Sequence, residues 1–132
     1  MSDVIVDQLV KLFDVGDASG MVALCRPDAL VDVNVPRWRY QIHPDALLTG
    51  LRENTEMPGR SVTIGYHEAT EDGAVVEVET RGVNDGTPVL IREVWLLRTD
   101  GEKITEWINY CTAPWDATTI ARQRAEAPMI RR

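Results

Sequence analysis

The sequence predicts an α+β fold in which a curved antiparallel sheet wraps around N-terminal helices. Three features of the 132 residues lead there. Helical periodicity is concentrated before residue 55, strand alternation fills 61–111 almost without interruption, and one alternating strand lies between the helical segments.

The first helix spans Asp3 to Val15. Ile5, Leu9, Leu12 and Phe13 form its apolar stripe, Ser2 or Asp3 is available as its cap, and Gly16 ends it. Asp17 caps a short second helix carrying Met21, Val22 and Leu24, and Arg26-Pro27-Asp28 stops that helix. Ala29–Pro36 then alternates Val31, Val33 and Val35 against Asp32 and Asn34, the pattern of a strand with one apolar and one polar face. Arg37 to Tyr40 reads as an aromatic loop on a pocket rim. Pro44 opens a third helix through Leu47, Leu48 and Leu51, with His43 as its cap.

From Ser61 onward the chain reads as a meander. Ser61–Ala69 meets Val75–Val83 through Glu71-Asp72-Gly73, Val75–Val83 meets Val89–Arg98 through Asn84-Asp85-Gly86, and Thr99-Asp100-Gly101 leads into the last long strand. A two-residue Asp85-Gly86 loop sets Glu79 opposite Arg92, Val78 opposite Glu93 and Val76 opposite Trp95. Val76, Val78, Thr80, Ile91, Glu93, Trp95 and Leu97 then share an inner face. A slip of one residue would turn Glu77, Glu79 and Arg81 inward instead.

The last strand places Thr105, Trp107, Asn109 and Cys111 on one side and Ile104, Glu106, Ile108 and Tyr110 on the other. Such mixed faces suit a strand bordering a cavity or an interface. Residues 114–132 read as a mostly polar helical extension, capped by Asp116, Thr118 or Thr119 and stopped by Pro128, lying on the surface or across a partner subunit.

The length fits a single domain, 1–132, with room for a sizeable core. A formal charge of −7 argues against a nucleic-acid or anionic membrane surface. Cys25 and Cys111 lack metal-site spacing and read as free thiols of a cytoplasmic protein, and His43 and His67 suggest no metal site. No cofactor or metal is expected.

The order of elements, with Val33-Asn34-Val35-Pro36 ending the first strand and GEKITEWINYC forming the last, resembles the nuclear-transport-factor-2-like superfamily. That superfamily includes SnoaL-like cyclases, ketosteroid isomerases and limonene-type epoxide hydrolases. The resemblance implies a cone-shaped, cystatin-like α+β barrel with a deep pocket for a small, largely apolar organic molecule. It also implies a homodimer formed through the outer sheet face.

The epoxide hydrolase pattern finds Asn34 and Trp107, but Asn109 stands where its carboxylate base belongs, and an amide cannot take a proton from water. The ketosteroid isomerase pattern instead puts an acid near Glu93, whose apolar surroundings should raise its pKa for proton transfer. That family's helix tyrosine and strand-end aspartate are absent here. The candidate catalytic residues are therefore Glu93 and Asp32, with Asn34, Trp38, Tyr40, Trp95, Trp107 and Asn109 as candidate pocket residues. Alternation sends the valines of the first strand to the core, whereas the resemblance points Asp32 and Asn34 into the cavity; both arrangements stay open. A non-catalytic interaction or ligand-sensing module is the alternative function.

Overall fold

A computed structural model describes residues 2–131, with side chains from Val4 to Arg131. Its elements, in chain order, begin with α1 (Ser2–Val15), α2 (Ala18–Ala23), β1 (Cys25–Val35), β2 (Trp38–Ile42) and α3 (Pro44–Thr55). They continue with β3 (Ser61–Ala69), β4 (Gly73–Asn84), β5 (Thr87–Thr99), β6 (Ile104–Cys111), β7 (Trp115–Asp116) and α4 (Ala117–Glu126). No helix among the described residues is long and apolar enough to cross a membrane.

Local chemistry explains the helix ends. Gly16 adopts φ 81° after α1 while its N–H donates to Phe13 and that of Asp17 to Leu12. These two bonds close the last turn as a Schellman motif, which a glycine reaches without strain. Asp17 then caps α2 by accepting from the Gly20 N–H at 2.8 Å. The expected Ser2 or Asp3 cap of α1 lies outside the described side chains. His43 occupies the N-cap position of α3 but makes no side-chain cap bond; its Nδ1 lies 3.0 Å from the Ala29 carbonyl oxygen.

The sheet runs in the order β2-β1-β6-β5-β4-β3, with β7 paired to β5. It is curved and does not close. Asp85 at φ 50° and Gly86 at φ 78° supply the two positive angles of a type I′ turn. Glu79 therefore pairs with Arg92, Val78 with Glu93 and Val76 with Trp95, as the turn predicts. Every other pair is antiparallel, but β1 lies parallel to β6, so the sheet is mixed. A meander signal describes only sequential neighbours, and this pairing joins strands separated by most of the chain.

Three further expectations are corrected. Arg37 to Tyr40 is not a loop: Pro36 and Arg37, the latter at φ 67°, form a tight turn that folds Trp38–Ile42 back onto β1. The first strand begins at Cys25 rather than Ala29, carrying Pro27 through a register shift between Cys25 and Leu30 that spares the ladder its missing N–H. In the pairing of β5 with β6 an irregularity between Arg98 and Thr99 sets Thr99 opposite Ile104. That break in the alternation puts Ile104 in the core with Trp107.

The core sits between the inner sheet face and helices α1 to α3. Ile5, Val6, Leu9 and Phe13 of α1 and Met21 of α2 meet Val31, Val76, Val78, Trp95 and Trp107, all almost fully buried.

Candidate functional site

Pairing places the candidate residues on two opposite faces. On the inner face, Trp95 pairs with Asn109, Glu93 with Cys111 and Leu97 with Trp107, while β1 adds Val31 and Val33 beside Trp107 and Asn109. Because side chains alternate, the neighbouring positions Asp32 and Asn34 share the outer face with Ile108 and Tyr110. The arrangement follows the alternation of β1, with its valines inward.

Glu93 is the acid of the inner face. Its Oε1 accepts from Asn109 Nδ2 at 2.8 Å and from Trp95 Nε1 at 3.4 Å. Burial raises its pKa, and the two neutral donors and the nearby Arg60 charge oppose the rise without cancelling it. Asn109 Oδ1, Thr80 Oγ1 and Trp107 Nε1 are also buried, and none has a hydrogen-bond partner among the described residues. Asn109 is the one of these bonded to Glu93, and an unused acceptor beside a carboxyl group of raised pKa can orient a polar group of a ligand.

The apolar side of this arrangement is tightly filled. Phe13 meets Trp95 edge to face at 4.9 Å between centroids, and Trp95 meets Trp107 at 5.0 Å. Arg60 lies over the ring of Phe13, its guanidinium carbon 4.7 Å from the ring centroid. It donates to Asn54 Oδ1 at 3.1 Å and to the carbonyls of Phe13 and Asp14 at the end of α1. A cation is favourable beside those carbonyls because they carry the negative end of the helix dipole.

Trp38 and Tyr40 stand apart. Paired with Val35 and Val33 on the edge strand β2, they are 70% and 42% exposed. Cys111 lies beside Glu93, and burial followed by the Glu93 charge pushes its thiol up to about 11; burial does the same to Cys25. Both are free thiols, and neither is activated as a nucleophile. Among the described residues no group of three His, Cys, Asp or Glu side chains could hold a metal ion.

On the outer face Asp32 is only 3% exposed, yet it is surrounded by donors. Arg39 donates to both of its oxygens at 3.0 and 2.6 Å, Gln41 donates at 3.1 Å and Asn34 at 3.2 Å. The Arg39 bonds are the main reason its pKa falls to about 2. Arg39 and Gln41 were missed by sequence reasoning, although Trp38-Arg39-Tyr40-Gln41-Ile42 alternates as a strand should. No local pattern marks Arg60, which follows Pro58-Gly59 and acts on a distant helix end.

Two of the molecule's grooves involve outer-face residues. One, of about 470 Å³, is lined by Asn34, Glu77, Arg92, Val94 and Tyr110 and reaches Glu93 and Cys111. The other, of about 700 Å³, lies between the sheet and α4.

A sequence profile described as a SnoaL-like domain matches residues 6–107. Comparison with curated proteins gives no match. Among solved structures, an epoxide hydrolase/cyclase-like enzyme, SalBIII, described in pyran ring formation in the polyether salinomycin, is 18% identical with a TM-score of 0.67. That match covers 85% of this chain and 91% of the other. A hypothetical protein of ketosteroid isomerase-like fold from Catenulispora acidiphila, in complex with trimethylamine, is 19% identical with a TM-score of 0.66, covering 86% and 88%. An M. tuberculosis LEH-like epoxide hydrolase is 20% identical with a TM-score of 0.62, covering 81% and 79%. At these identities the likeness is one of fold.

Proposed function

This chain belongs to the SnoaL-like domain family, and from that premise we propose that it binds a small, largely apolar organic molecule against its inner sheet face and transfers a proton through Glu93. The observation that carries this reading is the carboxyl group of Glu93, raised in pKa by burial and held by Asn109 and Trp95. A carboxyl of raised pKa keeps a usable fraction of both protonation states nearer neutral pH. With Oε1 occupied by Asn109, Oε2 is the oxygen that gives or takes the proton. In an isomerisation of a β,γ-unsaturated ketone the carboxylate accepts a proton from the carbon between the carbonyl and the double bond, and the resulting acid returns it at the far carbon of the dienolate. Asn109 orients the acid and does not replace it, since an amide is no base. Residues 1–132 act as one domain in this reading, with 114–132 an added helical extension.

A second reading, a non-catalytic homodimeric module, draws on a different observation. Phe13, Trp95 and Trp107 already pack edge to face against one another in the interior. The dimer would form through the outer sheet face around Val94 and the half-exposed Tyr110.

Thermal-shift screening with hydrophobic ketones, epoxides and steroid-like compounds identifies binders. NMR in D₂O then follows exchange at carbons beside the carbonyl of any ketone that binds. The wild type should accelerate exchange, and Glu93→Gln should lower that acceleration about 100-fold or more. Equal exchange by both proteins would sink the catalytic reading. Absence of any binder, together with a dimer by light scattering that Tyr110→Glu dissociates, would establish the second.

A further inference from the structure

We propose that the groove between α4 and the outer sheet face is a separate binding site for a small organic acid with an apolar body, its carboxylate held by Arg124 and Arg131. At about 700 Å³ the groove has the size of a small-molecule site. Its walls divide by chemistry. Leu90, Trp115, Ile120 and Met129 provide apolar surface, and Arg81, Arg92, Arg124 and Arg131 face a single carboxylate, Glu79.

That carboxylate is already engaged. Arg81 reaches it at 2.9 Å and Arg92 at 3.4 Å, and Arg92 also lies 3.5 Å from Glu77. Neither Arg124 nor Arg131 has an ion-pair partner among the described residues. A cluster of four guanidiniums with one lining carboxylate is unexpected on a chain whose formal charge is −7. Confining like charges around a groove costs energy, which an anion inside it offsets.

The helix that walls the groove is itself lightly held. Asp116 caps it by accepting from the Thr119 N–H at 2.8 Å, and β7 anchors its start on β5, but α4 contains no buried residue. An apolar ligand body against the exposed Met129 and the half-buried Trp115 and Ile120 would bury surface that the chain leaves uncovered. The guanidinium fork suits a carboxylate, which it can grip with two parallel bonds. This groove opens on the face opposite the Glu93 carboxyl, so the proposal stands or falls apart from the proton-transfer reading.

Calorimetric titration of the whole chain with octanoate, using octanol as the uncharged control, tests the proposal. Octanoate should bind more tightly than octanol, raised salt should weaken it, and an Arg124→Glu, Arg131→Glu double variant should weaken it about tenfold or more. Both residues are exposed, so circular dichroism should show the double variant folded as the wild type. Octanoate should also change tryptophan emission in the wild type and not in Trp115→Phe, whereas Glu93→Gln should bind it normally. Equal affinity for acid and alcohol, indifference to the double variant, or no binding of octanoate would each overturn the proposal. Binding of an acidic peptide in place of octanoate would make the groove a protein contact and overturn it equally.

Discussion

Glu93 and Asp32 sit in strands that flank β6, on opposite faces of one sheet, and their surroundings drive them in opposite directions. Glu93 meets neutral donors inside an apolar layer, so burial dominates and its proton is held more tightly. Asp32 is covered by side chains too, but one of them is the Arg39 guanidinium, and its proton is lost more easily. Loss of exposure alone therefore does not set a carboxyl group's chemistry. What decides is whether an opposing charge bonds the carboxyl directly, as Arg39 does Asp32, whereas Arg60 acts on Glu93 without a hydrogen bond.

The largest test of this contrast is whether the layer around Glu93 is as densely packed as its aromatic contacts indicate. Trp95→Ala should cost about 3–5 kcal/mol in urea unfolding, because Phe13 and Trp107 would be left around a cavity. A loss below about 1 kcal/mol would mean that this layer yields as a pocket wall does, and would break the comparison.

The two carboxyls should also respond oppositely to pH. Because folded Glu93 binds its proton more tightly than the unfolded chain does, its contribution to stability falls as pH rises from 4.5 through the folded pKa, then levels off. Glu93→Gln should remove that fall, so the variant gains on the wild type as pH increases. Asp32 contributes fully above 3.8, and its contribution is lost as pH drops through about 2. Asp32→Asn should cost about 1–2 kcal/mol at neutral pH, a value limited by the 63% exposure of its Arg39 partner, and the cost should shrink in acid. Denaturation midpoints measured across pH would separate the two, and parallel profiles would contradict the assignment.

The smallest effect is expected on the outer surface. Arg92 lies 3.4 Å from Glu79 and 3.5 Å from Glu77, but all three are substantially solvated. Arg92→Ala should change stability by about 0.5 kcal/mol or less, and salt should erase the difference. A larger loss would show that the outer charges act as a coupled network in the manner of Asp32.

Much of the framework could be read locally. The Asp85-Gly86 turn fixed the register of β4 and β5 and so the side on which Glu93 lies, since both positive φ angles belong to those two residues. Gly16 and Asp17 marked the junction of α1 and α2 for equally local reasons. The alternation of β1 also indicated its inner valines, and the resemblance supplied the contrary arrangement for Asp32 and Asn34. Arg39 and Gln41 were legible in principle, because Trp38–Ile42 alternates, but the aromatic-and-cation composition read as a loop.

The sequence by itself determined the helices, the junction of α1 with α2, the hairpin register, the α+β class and the inward position of Glu93, because each depends on periodicity or on turn chemistry within a few residues. Tertiary structure alone decided the parallel pairing of β1 with β6, the position of Arg60 near Glu93 and the groove beneath α4. Each of these joins segments distant in the chain. Such contacts depend on the packing of the whole sheet, and no local pattern encodes which distant side chain a buried carboxyl will meet.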